Sequence, residues 1–139
     1  MQTWVAPMAV RRGLTLVHWG LAVMPTLFLI GLVGMTARAA QILGQFPQAY
    51  INDPYLFGQD DPTYYRWVEF AGIGFGLMLL SWLPWCILTA LTLLFHWRYW
   101  SKTEPKAIAL YRFLPIAIYV LMHVIILVEP TNRLGWFLD

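Results

Sequence analysis

The sequence predicts an all-α integral membrane protein with three transmembrane helices near 13–36, 68–97 and 109–129, the N-terminus cytoplasmic and the C-terminus outside or periplasmic. Three observations predict it. First, 60% of the 139 residues are apolar and only 12% are charged, where an average soluble domain carries about a quarter charged residues. So little polar surface does not cover a soluble globule, and the 17% aromatic content is the opposite of a disordered chain. Second, 13–37, 70–97 and 113–128 contain no Asp, Glu, Lys or Arg. In hydrocarbon the backbone finds partners only within itself, so such runs must be helices. Third, the Lys and Arg residues alternate with the acids from one connecting segment to the next, as the positive-inside rule requires of an odd number of spans.

The first span follows Arg11 and Arg12. These read as a positive-inside anchor rather than as part of a cleaved signal or a twin-arginine export motif. Pro25 lies mid-span and predicts a kink. The segment at about 37–67 is an outer loop. Thr36 to Gln48 reads as a short helix ended by Gly44 or Pro47. The stretch after it mixes turn formers with Tyr50, Tyr55, Phe57, Tyr64 and Tyr65. A loop this long in so small a chain needs something to hold it, so these aromatics are read as a partner-docking surface. Asp61-Pro62 predicts the start of the second span, with Asp61 at the N-cap and Pro62 at the first helical position.

The second span contains Pro84, another predicted kink, and opens with Gly72, Gly74 and Gly76. Gly72 and Gly76 form a small-xxx-small spacing and are read as a helix-packing face. A basic cytoplasmic connection at about 98–108 follows, in which Arg98, Lys102 and Lys106 suit an anionic leaflet. The third span starts near Arg112, whose head can snorkel to the interface, and carries Pro115 in its first turns, where proline is tolerated. The chain reads as a single membrane domain over 1–139, with no internal repeat.

Catalytic signals are missing from the pattern. There is no nucleophile–base set, phosphate-binding glycine loop or HExxH, and the one Cys excludes a disulfide framework. No charged residue lies at the centre of a span, which argues against a self-contained pump, channel or transporter. A net charge of +2 gives no nucleic-acid footprint. The expectation is therefore a non-enzyme.

His18, His96 and His123 are the candidate ligands. Counted at about 1.5 Å per residue, His18 and His123 differ in depth by about 12 Å across a core of about 30 Å. One chain does not present both to one iron, and His18 with His96 is the more compatible internal pair. Arg12…His18-Trp19…Ala22…Gly31 resembles the first helix of the b-type cytochrome subunits of formate dehydrogenases and hydrogenases, which implies haem ligation by His18. Leu121-Met-His123-Val-Ile-Ile-Leu127…Asn132…Trp136 resembles the C-terminal half of bacterial light-harvesting α polypeptides. That resemblance implies bacteriochlorophyll ligation by His123 and a pigment contact from Trp136. Each resemblance covers one helix only. Trp4, Trp67, Trp97, Trp100 and Trp136 fall near span ends as interfacial belt residues, while Trp19, Trp82 and Trp85 lie deeper.

Together these readings predict a multi-pass inner-membrane protein that acts as a non-catalytic structural or assembly subunit of a larger complex, electron-transport or photosynthetic by its histidine contexts. Its partners would be other membrane subunits and the bilayer. One alternative is a redox anchor that holds haem b, quinone or bacteriochlorophyll at a subunit interface, sharing the group with partner chains. A further alternative is a component of membrane secretion machinery.

Overall fold

The computed structural model describes residues 8–56, 58, 60–100, 106–128 and 132–138, and these are helical apart from the connections. Helix α1 spans Met8–Leu43, α2 Pro62–Phe95, α3 Lys106–Val128 and α4 Arg133–Phe137. α2 closes in a π-helical turn, His96–Trp100. Three of these helices are long and apolar enough to cross a membrane, so the chain is a multi-pass membrane protein by length and composition.

The 36-residue α1 corrects one expectation. Thr36 to Gln48 is not a separate short helix. Ala37, Arg38, Ala39, Ala40 and Gln41 are helix formers with no breaker among them, so α1 runs on past the apolar run. It ends where Gly44 takes a φ of +70°, the left-handed conformation that glycine adopts freely. α2 starts as the sequence predicts. The Asp61 side chain accepts from the backbone N–H groups of Thr63 and Tyr64, and Pro62 occupies the first turn. The remaining oxygen of Asp61 pairs with Arg38 of α1 at 2.5 Å.

α1 is the central helix. It packs along most of α2, less extensively on α3, and against the short α4. The α1–α2 seam is built from small residues. A Cβ added to Gly31 would come within 2.8 Å of the Ala71 Cα, and one added to Gly74 within 2.8 Å of the Phe28 Cα. The two antiparallel backbones therefore approach as closely as their glycines allow. Gly72 and Gly76 take no part in this seam, and among the described residues no atom beyond their own stretch of helix lies within 4 Å of a Cβ on either. Two residues along an α-helix turn the side chain by about 200°, so a seam through Gly74 faces Gly72 and Gly76 away from α1.

At the Leu43 end of α1, α4 and the segment between α1 and α2 form a cap. Phe28 of α1, Phe75 of α2 and Phe137 of α4 make a three-ring cluster with centroids 5.3 to 5.6 Å apart. Leu32, Met35, Tyr64, Ile126 and Trp136 join the same core. The side of the molecule that carries this cap is called the capped face below.

Candidate functional site

The histidines are fixed in different ways. His18 is fully buried. Its Nδ1 lies 2.8 Å from the Leu14 carbonyl and its Nε2 lies 3.4 Å from the Thr89 hydroxyl. A carbonyl only accepts, so Nδ1 carries the proton and Nε2 takes the hydrogen bond from Thr89. His18 thus ties α1 to α2 with both nitrogens engaged. His96 does not meet it, packing edge-on against Phe113 with centroids 5.0 Å apart.

His123 shares half of that arrangement. Its Nδ1 donates to the Tyr119 carbonyl at 2.9 Å, which leaves the Nε2 lone pair available. This is the tautomer that a metal-ligating imidazole uses. The ring sits among aromatics from two helices, 4.4 Å from Tyr119 and 5.6 Å from Trp82 by centroid. Trp85 stacks on Tyr119 at 4.6 Å with an interplanar angle of 12°. The Tyr119 hydroxyl meets Ser81 at 2.9 Å, and Ser81 donates to the Met78 carbonyl. The structure therefore brings His123, Trp82 and Trp85 into one cluster between α2 and α3. The sequence reading missed Tyr119 and Ser81, although Tyr119 is one helical turn before His123 and Ser81 one turn before Trp85. Trp19 lies elsewhere, against Tyr111 on the α1–α3 contact. Among the described residues, no group of three or more His, Cys, Asp or Glu is placed to hold a metal ion.

Trp136 is not placed as a pigment contact. It is 1% exposed, and its indole N–H donates to the Asn52 carbonyl. Both features commit it to holding the cap.

The cap aromatics divide into anchors and a surface. Tyr64 is buried, and its hydroxyl donates to the Pro54 carbonyl at 2.7 Å. It therefore holds the loop rather than offering a docking face. The Tyr55 hydroxyl reaches the Phe137 carbonyl at 3.0 Å. With the Asn52–Trp136 bond, this fastens the loop to α4. Above these anchors, Tyr50 is 88% exposed and Ile51 and Leu56 are each 71% exposed, with Tyr65 also outward. Phe57 lies outside the described residues. So do Lys102 and the side chain of Lys106, whereas Arg98 is exposed beyond α2. Arg112 does not snorkel outward. Its side chain is buried within the chain, as the packing of α3 on α1 encloses that turn.

Comparison with protein-family profiles, characterised proteins and solved structures finds no match for this chain.

Proposed function

We propose that this protein is a non-catalytic assembly subunit of a multi-subunit inner-membrane complex, with its capped face outside the cytoplasm and its cap as the docking element. The observation that carries this reading is the construction of the cap. Its underside is locked by Tyr64, Tyr55 and Trp136, while its upper surface presents Tyr50, Ile51 and Leu56. A rigid support under an exposed apolar patch suits protein contact, because holding the residues in place beforehand lowers the ordering cost of binding. The open Gly72 and Gly76 face of α2 offers a second place for a neighbouring helix.

The test is affinity purification after mild solubilisation, with identification of the membrane chains that accompany the protein. Those chains also distinguish an electron-transport or photosynthetic complex from secretion machinery. Replacing Tyr50, Ile51 and Leu56 together by Ser should release these partners and leave thermal stability unchanged. A wild-type protein that purifies without partners, or a triple variant that keeps them all, overturns the reading.

The His123 cluster favours a second reading, an anchor for haem b or a chlorin shared with a partner chain. His123 would hold the metal of such a group through its open Nε2, and Trp82 and Trp85 would flank it with flat apolar rings. On this reading the purified assembly shows a visible absorption band that His123→Ala removes and His18→Ala leaves in place. A colourless assembly ends it.

A further inference from the structure

Near the capped face, the α1–α2 seam opens into a groove of about 420 Å3 lined by Ile30, Thr63, Arg66, Trp67 and Phe70. Its floor follows from glycine. Trp67 rests on Gly34, where an added Cβ would come within 2.5 Å of the ring, and Phe70 approaches Gly31 in the same way at 3.0 Å. The Trp67 and Phe70 rings stand edge to face, 6.1 Å apart at 83°.

The two ends of the groove differ in chemistry. Ile30 and Phe70 form the end toward the middle of the span and are partly exposed. Thr63 and Arg66 form the end at the start of α2. Arg66 is exposed, and among the described residues the ion pair at this helix start joins Asp61 to Arg38 and leaves Arg66 outside it. An exposed guanidinium one turn from the end of a spanning helix lies at the level of lipid headgroups.

We propose that this groove holds one glycerophospholipid of the leaflet on the capped face, its phosphate on the Arg66 guanidinium and one acyl chain along Ile30 and Phe70. Guanidinium and phosphate match in a bidentate geometry, and Thr63 lines the same end as a hydroxyl donor. A free anion has no use for the apolar end, and a hydrocarbon has no use for Arg66. The amphipathic run of the groove selects a molecule with both parts. The site is independent of the proposed assembly role, since it needs only this chain and the bilayer.

Native mass spectrometry of the delipidated full chain in detergent tests the proposal. Titration with dioleoylphosphatidylglycerol should give one strongly retained adduct on the wild type. Arg66→Gln should lower its retention about fivefold, the factor that one arginine contributes at a lipid surface. Arg66→Lys, which keeps the charge but not the bidentate fork, should restore part of it, and Ile30→Trp, which fills the apolar end, should lower it again. Dioleoylglycerol, which lacks the phosphate, should not be retained, and inorganic phosphate should not displace the lipid. Equal retention by wild type and Arg66→Gln overturns the proposal. So does equal retention of dioleoylglycerol, and displacement by inorganic phosphate would make this a free-anion site instead. Helical content by circular dichroism confirms that each variant compared is folded.

Discussion

Asp61 performs two tasks with one carboxylate. One oxygen caps α2 and the other binds Arg38, so the start of α2 is clasped to the end of α1. The hydrogen bond from Arg38, then that from the Tyr64 N–H, hold its carboxyl below the ordinary 3.8. A carboxyl whose folded pKa is depressed contributes stability above its unfolded pKa and loses it as the pH falls through the folded value. Thermal unfolding in detergent should therefore show the wild type losing stability as the pH drops below about 4. Asp61→Asn should start less stable and lose less over the same window. Parallel pH profiles for the two proteins would show that Asp61 is not the titrating clasp. Tyr64 makes a comparable point without charge. Tyr64→Phe leaves the Pro54 carbonyl without its buried donor, which should cost about 1–3 kcal/mol. An unfolding midpoint equal to the wild type would place that bond in solvent.

At the scale of the helix, the glycines of α1 and α2 divide by direction. Gly31→Ala and Gly74→Ala drive a methyl into the facing backbone, and separating the helices should cost about 1–3 kcal/mol. Gly72→Ala and Gly76→Ala meet open space and should be neutral or stabilise by about 0.5–1 kcal/mol through helix propensity. Equilibrium unfolding in mixed micelles reads the difference, and equal effects at all four positions would remove the seam. This division also shows where sequence reading stops. The spans were legible because charge is excluded from them, and the start of α2 because Asp-Pro has a local mechanism. The packing face was not, because helices in lipid are apolar all round and their periodicity no longer marks the inside. Small-xxx-small spacing identifies a stripe without saying which neighbour covers it. The extent of α1 was misread for a related reason: Arg38 marks the end of the hydrocarbon, but a helix of good formers does not stop there. α4, with five residues, is too short to leave a periodic pattern. At the candidate site, Trp82, Trp85 and His123 stood out by depth. Tyr119 did not, because a tyrosine in a span reads first as an interfacial residue.

At the scale of the whole molecule, the cap determines which segments share a side. Tyr55 and Asn52 of the α1–α2 connection bond to Phe137 and Trp136 of α4, so the connection and the C-terminal helix lie together. The first turns of α1 lie across the bilayer from them. The sign of the arrangement rests on charge. The α1–α2 connection, the start of α2 and the C-terminal segment carry Arg38, Arg66 and Arg133, against Arg11, Arg12, Arg98, Lys102, Lys106 and Arg112 in the segments at the other ends of the spans. On the positive-inside rule this distribution is the support for the proposal that the capped face lies outside the cytoplasm. Cysteine labelling tests this in a Cys86→Ser background, since Cys86 is the chain's one cysteine. Val10→Cys is suitable because it precedes the Arg11-Arg12 anchor and is 45% exposed, Gln48→Cys because its side chain is exposed in the cap, and Leu138→Cys because it is 58% exposed. In sealed right-side-out vesicles, a membrane-impermeant maleimide should label Gln48→Cys and Leu138→Cys and spare Val10→Cys, and inside-out vesicles should reverse the pattern. Labelling of Gln48→Cys and Leu138→Cys from opposite sides would contradict the cap itself. Labelling of both from the cytoplasmic side would keep the fold, invert the molecule and move the docking surface to the other compartment.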